Sequence, residues 1–119
     1  MKNMSVHDDE HRTLAIEAAN AAQRVLFLFE LEDSSDHRPR DAIAAIRAWA
    51  HGGISVAEAR SAAFSANSAA GDARSKAASA AARAAGHAAA TASAAPHALQ
   101  AEQFALEAER LSGRMPAAA

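Results

Sequence analysis

Cysteine and tyrosine are absent from this chain of 119 residues, and tryptophan occurs once. Without cysteine there is no disulfide frame and no thiolate chemistry. Without tyrosine, and with the arginines dispersed, there is no aromatic and basic platform for nucleic acid. Charge of one sign is lacking too. Twelve Lys and Arg stand against fourteen Asp and Glu, for a net charge of -2. No general attraction to nucleic acid or to an anionic membrane is expected from that balance. Glycine is rare and is read as marking breaks, which leaves no phosphate-cradling loop and no nucleophile elbow. The opening stretch, MKNMSVHDDEHR, has no apolar run. We therefore expect no secretory signal and a reduced, cytoplasmic compartment.

Large apolar side chains are also scarce. Leu, Ile, Val and Phe together number 18, or 15% of the chain. Such scarcity signals disorder when net charge is high. Here net charge is low and the chain is filled with alanine, 38 residues in all. Alanine is the best helix former. The composition points to a single all-α domain over residues 1–119, ordered over about 8–112 with frayed termini. Its architecture should be a bundle of about five helices packed through alanine-rich faces. Burial stabilises by only ~25 cal/mol per Å² of apolar surface. A thin core of this kind must compensate by letting helix backbones approach closely.

Periodicity predicts a first helix from about Asp8 to Glu32, with Leu14, Ala18, Ala22, Val25 and Phe29 as its stripe. A loop over Glu32–Arg40 follows. Pro39 suits the first turn of a second helix running to about His51, where its missing N–H costs nothing. Ala42, Ile43, Ile46, Trp49 and Ala50 mark the buried side, and Gly52-Gly53 ends it. Ser55 and Glu58 form a capping-box pattern for a third helix, which is expected to reach about Ala70. Gly71-Asp72 reads as a stop and a new N-cap. The fourth helix is expected over about Asp72–Ala95. Its polar face would carry Asp72, Lys76, Ser79, Arg83 and His87, and its small-residue ridge Ala73, Ala77, Ala80, Ala84, Ala88, Ala92 and Ala95. The fifth helix covers about His97–Ser112, with Ala101, Phe104, Ala108 and Leu111 inward and Gly113 as its cap. Residues 84–101 carry no formal charge. Their alanines, two histidines and proline argue for packed helix over membrane span or flexible linker.

Three constellations could carry chemistry. His7-Asp8-Asp9-Glu10-His11 fits the H-x-x-E-H spacing of an inverted zinc-peptidase motif. It lies at the start of the chain with no third ligand in view, and is read as a chance match; no metal or cofactor is expected. Asp36-His37-Arg38-Pro39-Arg40-Asp41 is a solvated loop, an internal salt-bridge network or a binding patch, since Arg38 and Arg40 can fork onto carboxylates such as Asp41. His87, with Arg83 and Thr91 one turn to either side, and His97 form a titratable pair. They are read as structural or interface residues, or alternatively as a histidine-centred enzyme or metal site. Trp49 fits the core by its spacing and becomes a partner anchor if exposed. Leu99 and Leu106 lie opposite the core face of the fifth helix, where a homodimer contact could form.

The stretches RVLFLFE, DHRPRDAIAAIRAWAHGGISVAEARSAAFSA and AARAAGHAAATASAAPHAL together resemble a family. It is the small, alanine-rich immunity-protein family of bacterial polymorphic toxin systems. The similarity spans roughly Ala21 to Leu106, and its more specific part is R-P-R-x-A-I followed by A-W-A-x-G. The resemblance implies an all-helical fold, a cognate toxin protein as partner, and neutralisation by binding without catalysis. The matching positions are Arg38, Pro39, Arg40, Ala42, Ile43, Trp49, Gly86, His87, Thr91 and His97. The chain departs at Ser93, where the family is expected to carry histidine, and at Pro96. Acids at the two ends of the first helix, Asp8 to Glu10 and Glu30 to Asp36, would not form one patch, which argues against a simple nuclease decoy.

Overall fold

The computed structural model describes residues 6–113, with side chains from Asp8 onward. Five helices make up the fold: α1 (Val6–Glu30), α2 (Arg38–Ala50), α3 (Val56–Asp72), α4 (Lys76–Ala90) and α5 (His97–Ser112). No strand occurs among the described residues. The expected all-α bundle of five helices is what the described residues form.

Helix α4 is the centre of the bundle and packs against each of the other four. Nine of its fifteen residues are buried, all alanine except Gly86. The expected ridge is therefore too narrow. Ala78, Ala81, Ala82, Ala85 and Ala89 are buried as well, so neighbours surround the helix rather than flank one face. Small side chains allow this because each neighbour can approach the α4 backbone closely. The larger apolar residues sit around it. Val25, Leu26 and Phe29 come from α1, and Ile43 and Ile46 from α2, all at 2% exposure or less.

Helix ends follow local chemistry. Pro39 is buried in the first turn of α2. Gly52 takes a φ of +79°, which turns the N–H groups of Gly52 and Gly53 back onto the Trp49 and Ala48 carbonyls. At α3 the capping box forms in full, with Ser55 Oγ accepting from Glu58 N–H and the Glu58 carboxylate accepting from Ser55 N–H.

Four expectations are corrected. Glycine does not mark breaks alone: α3 runs through Gly71 to Asp72, and Gly86 lies inside α4. The N-cap of α4 is Ser75, whose Oγ accepts from Ala78 N–H at 3.0 Å, so Asp72 is not on α4. The fourth helix stops at Ala90, not Ala95. Beyond it the N–H groups of Ala92 and Ser93 bond three residues back, and the Thr91 hydroxyl takes the His87 carbonyl, tightening the chain into a turn before Pro96. On α1, Leu14 is 39% exposed and lies outside the core stripe, and the helix ends at Glu30.

Candidate functional site at the C-terminal end of α4

The last turn of α4 gathers imidazoles. His87 Nδ1 and His97 Nδ1 are 3.0 Å apart, and one proton must be shared between them. That geometry admits a single positive charge, because two Nδ1–H groups could not face each other. The His87 ring also lies parallel to Phe104 of α5, with centroids 5.1 Å apart. Burial first, and then the neighbouring charges of His97 and Arg83, push the His87 pKa below the usual histidine value. No carboxylate offsets them.

Thr91 is fully buried beneath this pair. Its hydroxyl donates to the His87 carbonyl at 3.1 Å, and its own carbonyl accepts from His11 Nε2 at 2.5 Å. The adjacent Arg12 donates to the Trp49 and Ala50 carbonyls at 2.8 and 3.0 Å and lies over the Trp49 ring. His11 packs on that ring as well, with centroids 4.8 Å apart. One dipeptide of α1 thus supplies donors to the C-terminal carbonyls of two helices, α2 and α4. Unpaired carbonyls at helix ends need such donors, and the helix dipole favours positive charge there.

A cleft of about 250 Å³ opens beside His97, between α3 and the turn after α4. Arg60, Phe64 and Asn67 line it from α3, and Ser93 from the turn. Arg60 Nε donates to Ser93 Oγ at 3.3 Å. Asn67 Oδ1 is buried without a partner, pressed onto α4 at Gly86: a Cβ there would stand 2.4 Å from it.

The structure brings together Arg83, His87, Thr91 and His97 of the sequence-derived candidates, and joins Trp49 to them through His11. Arg38, Arg40 and Asp41 lie apart. Arg38 forks onto Asp36 and reaches Asp72 at 2.9 Å, and Arg40 pairs with Glu30. Arg38 and Arg40 thus take part in an internal network of ion pairs. Asp41 is exposed. The His7 side chain lies outside the described side chains, and His11 is engaged by Thr91. No cluster of three or more His, Cys, Asp or Glu suited to a metal occurs among the described residues. Nor is any described helix long and apolar enough to cross a membrane.

Sequence reasoning missed Arg60, Phe64, Asn67 and Arg12, and singled out His11 only as part of the H-x-x-E-H match. Arg60 and Phe64 stand four apart on α3 among alanine and serine, which places them on one helix face. That spacing was the available signal. The roles of His11 and Arg12 depend on long-range contacts that no local pattern announces.

No curated protein and no solved structure matches the chain. A family profile described as Imm-5 like putative immunity protein matches residues 4–117, a wider span than the stretches that suggested it. Nearly the whole chain is covered, and it belongs to the Imm-5 like family of putative immunity proteins.

Proposed function

We propose that this protein binds a cognate toxin protein of a bacterial polymorphic toxin system and neutralises it by occlusion, without catalysis. The observation that carries this reading is the family match over residues 4–117. The fold supports it physically. A scaffold whose helix ends are already tied down loses little freedom on binding, which keeps the cost of association low. Such a protein would act in the cytoplasm of the cell that makes the toxin.

The test is calorimetry at moderate salt between this protein and a catalytically inactive form of the toxin encoded beside it. A dissociation constant near 1 nM, roughly -12 kcal/mol, is expected of a dedicated inhibitor. Absence of both heat and co-elution would remove the reading. Self-association through α5 is a second reading, favoured by the exposure of Leu99 and Leu106 at 64% and 42%. Sedimentation as a monomer at tens of micromolar would end it.

A further inference from the structure

We infer that the cleft between α3 and the turn after α4 is the toxin-docking site, and that its occupant is a carboxylate side chain on the toxin surface. This rests on the neutralisation reading above and specifies where and by what chemistry the toxin is held.

The argument starts from the donors that converge on the cleft. Arg60 spends only Nε, on a 3.3 Å bond to a neutral hydroxyl, and makes no ion pair among the described residues. Ser93 Oγ accepts that bond, so its own proton is available. Asn67 lines the cleft too, with its side-chain oxygen buried against Gly86. His97 lines the same cleft, with its Nδ1 3.0 Å from His87 Nδ1. No Asp or Glu is among the lining residues. A guanidinium, a hydroxyl and an imidazole lining one concavity, with no acid among them, recognise an anion.

The rim identifies the kind of anion. Phe64 is 68% exposed, one helical turn beyond Arg60. An arginine and an aromatic ring side by side form the usual anchor pair of a protein interface. A free inorganic anion has no use for the ring, whereas an acidic side chain flanked by an apolar residue engages both. Most other arginines are more fully engaged. Among the described residues Arg24, Arg38, Arg40 and Arg110 each hold a carboxylate of this chain. Arg12 and Arg47 donate to backbone carbonyls and side-chain amide oxygens respectively, and Arg74 donates to the Glu32 carbonyl. Arg60 has only its bond to Ser93.

The experiment uses full-length protein and the inactive toxin. Calorimetry is run on the wild type, on Arg60→Glu with Phe64→Ala, and on Arg40→Gln at the far end of the molecule. Circular dichroism confirms the fold of each, and Arg60→Gln with His97→Gln replaces the first variant if that one unfolds. The expected result is a loss on the order of 100-fold for the cleft variant and less than about twofold for Arg40→Gln. Rescue of Arg60→Glu by an Asp or Glu to Lys change on the toxin would identify the partner carboxylate. Wild-type binding that the cleft variants leave intact overturns the docking site and spares the neutralisation reading. No binding by the wild type removes both. Displacement of toxin by 10 mM inorganic phosphate, on the order of a weak anion-site constant, would make this a phosphate site and overturn the carboxylate assignment.

Discussion

The two ends of α4 carry opposite chemistry. At the N-terminal end, Glu32 of the α1–α2 loop places its carboxylate on the backbone N–H groups of Arg74 and Ser75. Asp36 and Asp72 share Arg38 nearby. At the C-terminal end stand His11, His87 and His97, with Arg60 and Arg83 beside them. An acid brought to the first turn by another segment and base at the last turn is the arrangement a helix dipole favours, although α4 itself opens on Lys76. The two ends differ in what the charges do. The acids at the N-terminal end hold partners within the chain, and the result is structure. At the C-terminal end, Arg60 has one long neutral bond and Arg83 pairs with no carboxylate among the described residues. Paired charge at the one end stabilises the fold, and the proposed docking site would draw on the less engaged charge at the other.

The largest way to break this comparison is to unseat α4 itself. Ala85 is fully buried. Leu in its place has no free volume to enter, and overpacking of a dense core costs about 1–3 kcal/mol. Against a total stability of about 5–15 kcal/mol that is a large fraction. We expect Ala85→Leu to lower the urea midpoint and to perturb both ends together. A change confined to one end would show that the ends are not coupled through the helix.

The next effect is smaller and concerns the C-terminal end alone. Gly86→Ala gains about 1 kcal/mol of helix propensity, but its Cβ would meet the Asn67 amide at 2.4 Å. The single variant should be destabilised. Asn67→Ala makes room and removes a buried oxygen without a partner, so the double variant should exceed the wild type in stability. The coupling read from the cycle should be about 1–3 kcal/mol. Strict additivity would mean that Asn67 does not rest on Gly86.

The fold was largely legible in the sequence because its determinants are local. Alanine content, the Ser55–Glu58 box, Pro39 and Gly52 each act within one turn of chain. The boundaries of α4 were misread for a tertiary reason. Gly71 looked like a stop, but α3 continues over it, and the true cap is Ser75, whose N–H also meets Glu32 from the α1–α2 loop. Of the site, His87, His97, Arg83 and Thr91 share one helix end and its following turn, so spacing found them. His11 and Arg12 lie 80 and 37 residues away from the carbonyls they serve, and no local pattern, the H-x-x-E-H spacing around His11 included, announces that role. The cleft was missed because Arg60, Phe64 and Asn67 gain meaning only from Ser93 and His97 opposite.

Single substitutions at the two ends should then separate by about 1 kcal/mol or less. Glu32→Gln keeps the shape at the N-terminal end of α4 and removes the charge, at a cost of about 0.3–1 kcal/mol. His11→Phe keeps a ring against Trp49 and leaves the Thr91 carbonyl without its donor, a loss of about 0.5–1.5 kcal/mol. Both are read from Tm. Comparable losses are expected, since each removes one terminal partner of the same helix. A neutral His11→Phe would mean that water replaces the imidazole.

The smallest and sharpest difference is in pH. Hydrogen bonds from Ser75 and then from backbone N–H groups hold the Glu32 carboxyl below its usual range, and Arg38 does the same for Asp36. A carboxylate with a depressed pKa contributes stability that is present above its unfolded value and lost as pH falls through the folded one. The acidic end should therefore weaken only below about pH 4.5. His87 is depressed for another reason, burial beside His97 of α5 and Arg83 of α4. Its unfolded form takes up a proton first, so stability is again present at higher pH and begins to fall near pH 6.5. Tm measured from pH 8 to pH 3 should decline in two separate windows. His87→Gln should flatten the upper one and leave the lower, and Glu32→Gln should reduce the lower and leave the upper. A single window that both variants shift would mean that the two ends of α4 titrate as one unit, and the distinction between a paired end and an open end would fail.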